Sequence, residues 1–391
     1  MELIATPGVK KETRRILAVD YLRGIVMIIM AVDHVRDYFH ISAQTADPLD
    51  LNTTTPLLFF TRWITHFCAP VFVFLSGVSA YLSGRNKPIK TVSSFLIKRG
   101  LWLAVVDIVV MTFILTFKPH YNFIMLTTLW AIGCSMIVLG LVLKLSPKLV
   151  LPLGILLFLG HDLSTDFIPQ QGGGTGLLKV LFSIYILPVS KTHVIGFFYA
   201  ILPWTGAMML GYAFGKYVAD RKKLMVAGLS LILLFIALRW INVYGDSAPW
   251  HEQRDAGYTI LSFINTTKYP ASLQFLCMTL GPAMLLLAAL QAKRSAFLEV
   301  ASVYGRVPFF YFVLHFLLAH LLLVLAFFLT GHTANEIVDP AVPFYFRPQH
   351  FGFSLPAVYG IWLTVVLIMY YPCKWFFAYK RQHKEWWLHY L

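Results

Sequence analysis

Ionisable residues capable of acid–base chemistry are concentrated in one apolar segment near the N-terminus: Asp20, Arg23, Asp33, His34 and Asp37. In a helix, Arg23 and His34 would lie about 20° apart around the axis and roughly 16 Å apart along it. Histidine is the usual general base near neutral pH, and Asp37 can face the same imidazole and orient it. Asp33 points about 100° away from His34 and is expected to pair with Arg36 or with another helix.

Charged side chains inside a membrane helix are costly, so a spanning segment directs them to a cavity, a partner or a water path. One interpretation is a pore-lining stripe that runs from Asp20 and Arg23 past two methionines to His34. The alternative is structural: Asp20 and Arg23 pair with each other or with a neighbouring helix, and His34 lies near the outer headgroups.

The composition is that of a membrane protein. Of 391 residues, 58% are apolar and 13% are charged, and the mean hydropathy is +0.69; soluble proteins have about 25% charged residues. Many apolar runs approach the roughly 20 residues needed to cross a bilayer. We therefore predict an all-α polytopic fold with about ten transmembrane helices. The predicted spans are residues 16–39, 56–83, 100–117, 123–143, 149–160, 193–215, 224–242, 269–290, 307–330 and 355–373, with a re-entrant or interfacial segment at 177–188.

The distribution of Lys and Arg predicts that both termini are cytoplasmic. With the N-terminus inside, the inner segments carry 22 of the 32 basic residues, as the positive-inside rule requires. This topology explains the net charge of +14, and zinc-finger and nucleotide-loop spacings are lacking, so nucleic acid is excluded as a partner. The predicted parts are a cytoplasmic tail at 1–15, one transmembrane domain at 16–373 and a basic, aromatic cytoplasmic tail at 374–391.

Further candidate residues lie on later helices. Arg62 and His66 are four positions apart at the depth of the first-helix histidine, which leaves open a substrate-binding or base-orienting role and simple snorkelling at the interface. Tyr311 and His315 share a helix face, whereas His320 lies about 140° from His315. His315 is therefore the better site candidate of the two histidines, and it is predicted, together with Tyr311, to bind the substrate.

Two other features are interpreted as structural. Asp107 on the third helix is a candidate partner for Arg23. The four cysteines lie in or beside apolar runs without the spacing of metal ligands, so no metal site is predicted. They are Cys68, Cys134, Cys277 and Cys373.

Several segments carry a resemblance to a known family. They are Val19-Asp20-Tyr21-Leu22-Arg23-Gly24 with the later pair Asp33-His34, the run Ala69–Gly77 (APVFVFLSG) and the run Tyr304–His315 (YGRVPFFYFVLH). These segments resemble the heparan-alpha-glucosaminide N-acetyltransferase-like family, part of a superfamily of membrane acyltransferases that also modify bacterial surface sugars. An Arg, ten residues and then a His form a superfamily motif, matched by Arg23 and His34. The lysosomal branch differs: it has asparagine where His34 stands and its essential histidine later, and His40 is the nearest later histidine here.

The resemblance implies a multi-pass acyltransferase of a bacterial cytoplasmic membrane. It would move an acyl group, usually acetyl, from cytoplasmic acyl-CoA to a hydroxyl or amine of an extracytoplasmic sugar or glycan. His34 would act as the base or carry the acyl group itself, with His40 and His66 as competing candidates that also suit substrate contact. The phosphates of CoA need fixed cations. The candidates at the inner mouth are Arg23 with Asp20 beside it, Lys98, Arg99, Lys293, Arg294 and Arg306.

Two other function classes remain open. A proton-coupled transporter would also use intramembrane Asp, Arg and His residues, although matching broken helices in two halves of the chain are not found. A non-catalytic sensor or scaffold would leave the first-helix charges as structural pairs. The predicted partners are the lipid bilayer, acyl-CoA and a sugar acceptor, and a homodimer remains open.

Overall fold

The computed structural model describes residues 13–163 and 176–390. Within these ranges the chain is mostly helical and contains one small sheet. The helices are α1 (Thr13–Phe39), α2 (Pro56–Trp63), α3 (Cys68–Gly84), α4 (Ile89–Val106), α5 (Thr112–Thr116), α6 (Thr128–Leu145), α7 (Val150–Gly160), α8 (Gly176–Phe182), α9 (Ile201–Phe214), α10 (Arg221–Ile241), α11 (Ala256–Ile264), α12 (Leu273–Leu290), α13 (Ala296–Arg306), α14 (Pro308–Leu329) and α15 (Leu355–Gln382). The strands are β1 (Phe123–Leu126), β2 (Tyr185–Pro188) and β3 (Val194–Phe197).

Seven helical units in the described ranges are long and apolar enough to cross a membrane. Two of them join shorter helices: α2 continues into α3 through the tight turn Ile64–Phe67, and α4 continues into α5 through the π-helical segment Asp107–Met111. The other five are α6, α10, α12, α14 and α15. In its most apolar window α12 is 78% buried and α10 only 22%. Helix α12 therefore lies inside the bundle, whereas α10 presents most of its apolar surface outward.

The predicted membrane-helical fold is confirmed, and the number of ten crossings stays a prediction. The three predicted spans outside the seven units correspond to α1, α7 and α9. Helix α1 has 27 residues but carries several charges. Helices α7 and α9 have 11 and 14 residues, fewer than the roughly 20 that cross a bilayer at right angles.

Several predicted boundaries are wrong. The helix predicted to begin at residue 100 begins at Ile89, so Lys98 and Arg99 lie on α4 rather than in a loop. The last helix continues beyond residue 373 to Gln382. Both extensions contain charged residues, because a helix that passes the edge of the hydrocarbon no longer needs an apolar sequence.

The small sheet replaces parts of three predicted segments. β1 at residues 123–126 and β3 at 194–197 pair in parallel, and β2 at 185–188 pairs with β3 in antiparallel fashion. From the sequence alone, β1 and β3 are predicted to lie in helices and β2 in a re-entrant or interfacial segment. A short, continuous apolar run has no periodic pattern that distinguishes a strand from a helix, so the sequence could not reveal these strands.

Helix α1 lies at the centre of the bundle and contacts α3, α12, α13, α14 and α15. It crosses α13 with the two backbones in close approach. A Cβ atom at Gly24 would overlap the carbonyl oxygen of Ala301, and one at Gly305 would overlap that of Asp20. Small residues permit this kind of contact between membrane helices. The arginines next to the two glycines are consequently held close together.

Candidate active site

One end of the candidate site lies where α1, α3 and α13 meet. Arg23 donates hydrogen bonds to the Ser79 hydroxyl at 2.8 Å and to the Gly305 carbonyl at 3.3 Å. Asp20, one turn earlier on α1, lies 3.5 Å from Arg23 and 3.9 Å from Arg306. The predicted pairing of Asp20 with Arg23 is confirmed, and the same carboxylate also positions the second guanidinium group.

A cavity open to solvent begins beside these residues, with about 1290 Å³ of space between the atoms. We call it the mouth cavity. Its basic lining residues are Arg23, Lys87, Arg99, Arg306 and Lys380. Serine and threonine hydroxyls and apolar side chains form the rest of the wall, and its lining among the described residues includes no Asp or Glu. The mouth cavity is therefore strongly cationic.

The mouth cavity brings together three predicted cations and two that the sequence analysis missed. Arg23, Arg99 and Arg306 were candidates for donor binding, whereas Lys87 and Lys380 come from the α3–α4 turn and the end of α15. In the sequence, each of these lysines is part of a basic cluster at the end of a helix. The positive-inside rule already accounts for such clusters, so they did not indicate a binding site. Of the remaining candidates, Lys98 is exposed on α4, and Lys293 and Arg294 line a separate cavity.

A second, mostly apolar cavity continues from the mouth cavity into the bundle, with about 550 Å³ between the atoms. We call it the slot. It shares the lining residues Arg23, Ser76, Arg99, Met136 and Pro308 with the mouth cavity, so the two spaces adjoin. Its further walls are Met27, Phe72, Leu103, Thr128, Leu129, Ile132, Phe309 and Phe312. Met27 is one of the two methionines of the predicted stripe, which agrees with a path along this face of α1.

His34 lies just beyond the end of the slot. Its ring meets that of Phe312 edge to face, with 6.4 Å between the ring centroids, and stacks on Phe316 at 3.9 Å. Its Nδ1 atom lies 2.7 Å from Nε2 of His315 on α14. His315 in turn stacks on Tyr311, one turn earlier on α14, at 5.0 Å. The predicted common face of Tyr311 and His315 is confirmed, and α14 supplies the three rings that contact His34, those of Phe312, His315 and Phe316.

A cluster of charged side chains lies next to His34 along α1 and includes one residue of α2: Asp33, Arg36, Asp37 and Arg62. We call it the α1 charge cluster. Asp33 accepts a hydrogen bond from Arg36 at 3.0 Å and forms a second ion pair with Arg62 of α2. Asp33 thus makes both of the pairings predicted as alternatives, one with Arg36 and one with another helix. Arg62 pairs with the residue next to His34 in the sequence, which agrees with the predicted depth of α2 against this part of α1.

The predicted role of Asp37 as the partner that orients His34 is wrong. The Asp37 carboxylate accepts a hydrogen bond from Arg36 at 2.6 Å, and the His34 Nδ1 atom faces His315 instead. Helical spacing places Asp37 near His34, but the neighbouring guanidinium group competes for the carboxylate and a second helix supplies the imidazole's partner. Asp37 remains 43% exposed, so its carboxylate borders open space near His34.

Besides His315, two predicted substrate-binding residues are fully buried. His66 lies edge to face on Phe275, and neither of its ring nitrogens has a hydrogen-bond partner among the described residues. The Tyr311 hydroxyl is likewise buried and unpartnered in the described part of the chain. Both side chains pack against other rings near the site, His66 on Phe275 and Tyr311 on His315. Contact with a substrate stays a prediction for both.

Lys268 is a neighbour of the site that the sequence analysis missed. It lies in the loop before α12, 5.1 Å from the ring of Tyr269, and interacts electrostatically with Asp33 and His34. The loop belongs to a different part of the chain from α1, and no spacing in the sequence links the two.

Two further histidines have structural surroundings. His40 bonds through Nδ1 to the Ser42 hydroxyl at 2.9 Å, and its carbonyl accepts a hydrogen bond from Arg347. Burial, and then the nearby Arg36 and Arg347, lower the pKa of His40. His320 bonds through both ring nitrogens to backbone carbonyls of other segments. No contact in the described ranges links His40 to His34, and the role of His40 in substrate binding stays a prediction.

The predicted pairing of Asp107 with Arg23 is wrong. Asp107 accepts hydrogen bonds from the Thr127 backbone and hydroxyl at 2.6 and 2.9 Å and from the Trp130 backbone at 3.0 Å. These donors belong to the first turn of α6, whose free backbone N–H groups attract a carboxylate. Asp107 therefore fixes α6, a wall of the slot, and contributes no charge to the site.

The family described as heparan-alpha-glucosaminide N-acetyltransferase, catalytic, matches residues 15–248, which is more than half of the chain. The matched range contains Arg23, the α1 charge cluster and His34, whereas α13, α14 and α15 lie beyond it. No curated protein matches the chain. Within the described residues, no group of three or more His, Cys, Asp or Glu side chains is arranged to hold a metal ion.

Proposed function

The chain belongs to the heparan-alpha-glucosaminide N-acetyltransferase catalytic family, and we propose that it transfers an acetyl group from cytoplasmic acyl-CoA to a hydroxyl or amine of an extracytoplasmic sugar or glycan. The observation that carries this proposal is the path from the cationic mouth cavity through the apolar slot to His34. Acyl-CoA has a negatively charged nucleotide, which suits the cationic mouth cavity, and a long, thin pantetheine arm, which suits the apolar slot.

The mouth cavity is the proposed site for the nucleotide of acyl-CoA. Its phosphates would meet the five basic side chains of this cavity, which act as fixed cations. Asp20 has a positioning role, because its carboxylate holds Arg23 and Arg306 in place. Lys87 and Lys380 extend the predicted donor site with two residues from other segments, the α3–α4 turn and the end of α15.

The slot is the proposed site for the pantetheine arm. This arm is about as long as an extended peptide of four residues, roughly 14 Å. Arg23 and His34 are separated by roughly 16 Å along α1, so a phosphate bound at Arg23 would leave the thioester near Phe312 and His34. The apolar side chains that line the slot would also keep water away from the thioester.

His34 is the proposed general base. The acceptor's oxygen or nitrogen would attack the thioester carbonyl while the Nε2 atom of His34 takes its proton. As the C–S bond breaks, the imidazolium would return the proton to the departing sulfur, so the products are the acylated acceptor and CoA. Proton transfer of this kind contributes on the order of 10² to 10⁴ in rate. A covalent acyl-histidine remains the second form of the same proposal.

The α1 charge cluster is the proposed frame of the acceptor side. Asp33 and Arg62 would fix α1 against α2 and so set the position of His34. The exposed carboxylate of Asp37 would accept a hydrogen bond from a hydroxyl or ammonium group of the acceptor. His66 and His40 stay candidates for acceptor binding.

The same proposal includes the topology. Ten crossings with both termini cytoplasmic place the mouth cavity at the cytoplasmic face and the α1 charge cluster towards the outside. The single transmembrane domain at 16–373 would then contain both substrate sites, in a bacterial cytoplasmic membrane. The excess of basic residues on the inner segments supports this orientation.

Release of free CoA thiol tests the proposal directly. Purified full-length protein in nanodiscs would be given acetyl-CoA and a panel of amino sugars and neutral sugars. We expect acceptor-dependent release in the wild type, its loss in His34→Gln, and its retention in His193→Gln, which changes an exposed histidine in the loop after β2. Counterflow of a solute in liposomes without CoA, with no thiol release, would instead identify a transporter.

Binding of CoA tests the donor site separately. Lys87→Ala and Lys380→Ala are each expected to weaken CoA binding about tenfold, equivalent to about 1.4 kcal/mol. Lys98→Ala is the matched control, because this lysine is close in sequence but exposed outside the mouth cavity. Equal affinity in all three variants would contradict the assignment of the mouth cavity to the nucleotide.

A further inference from the structure

The orientation of His34 depends on another histidine rather than on a carboxylate. A general base is commonly held by a third group that bonds to its other ring nitrogen. Here the two nearest acids are engaged by arginines, Asp33 by Arg36 and Arg62, and Asp37 by Arg36. The His34 Nδ1 atom lies 2.7 Å from Nε2 of His315.

The hydrogen bonds of the pair determine its tautomers. The Nδ1 atom of His315 lies 2.9 Å from the Tyr311 carbonyl oxygen, which can only accept, so this nitrogen carries a hydrogen. In a neutral imidazole the other nitrogen is then an acceptor, so the His315 Nε2 atom has a free electron pair. His34 must consequently donate from Nδ1, and its own Nε2 carries no hydrogen.

The other ring nitrogen of His34, Nε2, is not engaged by His315. The Nε2 atom has no hydrogen-bond partner in the described part of the chain, and the side chain is half-buried, whereas His315 is fully buried. Stacking on Phe316 and on Tyr311 restricts the rotation of both rings. The nitrogen left open to an acceptor is therefore the one that can take a proton.

We propose that His315 is a positioning residue, which holds His34 in the tautomer whose Nε2 atom can accept the proton of the acceptor. This inference rests on the proposed acyl transfer and extends it to α14, which lies beyond the part of the chain that the family matches. The same contact serves both states of His34. When Nε2 takes a proton, the Nδ1–H group of the imidazolium still points at the His315 electron pair, and the hydrogen bond becomes charge-assisted and stronger.

Two substitutions of His315 separate positioning from packing. His315→Phe keeps a flat ring beside Tyr311 but removes the acceptor for His34, whereas His315→Gln gives up the ring and retains a side-chain oxygen able to accept. We expect His315→Phe to lower kcat on the order of 10² or more, with the affinity for CoA and the KM for acetyl-CoA nearly unchanged. His315→Gln should regain a substantial part of that loss. If packing were the only role, the order of the two variants would be reversed, and that result would overturn the inference.

A direct measurement of the tautomer distinguishes failure of this inference from failure of the proposed function. Nitrogen-15 NMR of histidine-labelled protein, with His34→Gln used to assign the signal, reports which ring nitrogen carries the hydrogen without any turnover. We expect a protonated Nδ1 and an unprotonated Nε2 in the wild type, and a mixture of tautomers in His315→Phe. The same tautomer ratio in both proteins would overturn the inference even if acyl transfer is active. The expected ratios without any CoA release would support the hydrogen-bond assignment and contradict the acyl transfer.

Discussion

Asp33→Asn is expected to destabilise the protein strongly, because it removes the acid between two buried arginines. Asp33 bonds to Arg36 at 3.0 Å and pairs with Arg62 through its other oxygen. The side chains of Asp33, Arg36 and Arg62 are only 9%, 4% and 13% exposed. Removing one partner of a buried ion pair leaves the other charge uncompensated and costs about 3–5 kcal/mol. We expect a loss of this size in the free energy of unfolding.

Asp37→Asn is the matched control, since it removes an acid from the same cluster. The Asp37 side chain is 43% exposed and that of Asp33 only 9%, so the loss of unfolding free energy in Asp37→Asn should be smaller than in Asp33→Asn. Arg36 keeps Asp33 as its partner in that variant. In Asp33→Asn, by contrast, Arg62 loses the only acid with which it forms an ion pair in the described ranges.

The assay is reversible unfolding in mixed micelles, followed by tryptophan fluorescence as the fraction of denaturing detergent rises. The double variant Asp33→Asn with Arg62→Gln completes a mutant cycle, and its coupling energy should fall between about 0.5 and 3 kcal/mol. Equal losses of stability in Asp33→Asn and Asp37→Asn, or a coupling energy near zero, would refute the reasoning. In that case solvent would have to reach Asp33 and Arg62 far more freely than their burial allows.

Three further changes give separate expectations. Arg23→Lys retains the charge but loses the planar guanidinium group that contacts several partners at once. The KM for acetyl-CoA should therefore rise about tenfold with kcat little changed. Unchanged kinetics would mean that Arg23 has only a structural role, as the ion-pair partner of Asp20. Gly24→Ala places a methyl group against a backbone carbonyl of α13 and should cost about 1–3 kcal/mol in unfolding free energy, whereas Gly360→Ala, in open space on α15, should be neutral. A reporter fused after Leu391 should be active only in the cytoplasm, and activity outside would disprove the predicted topology.

Local sequence pattern determined much of the site on α1 and α14. Helical spacing put Asp20 beside Arg23, placed Asp33 against Arg36, and gave Tyr311 and His315 a common face. These relations depend on 3.6 residues per turn within a single helix, and the cost of charge in a membrane marked the residues as unusual. The membrane-helical fold followed in the same way from the length and apolarity of the runs.

Relations between helices depended on the tertiary structure. His34 and His315 are 281 residues apart in sequence, and their hydrogen bond requires a particular rotation and depth of α14 against α1. Lys87, Lys380 and Lys268 reach the site in the same manner, from segments whose own sequence shows no link to α1. The prediction for Asp37 failed because spacing gives the direction of a side chain but not which neighbour competes for it. Backbone contacts such as that of Gly24 with α13 set the register between helices, and they depend on shape complementarity between distant segments, which no local period encodes.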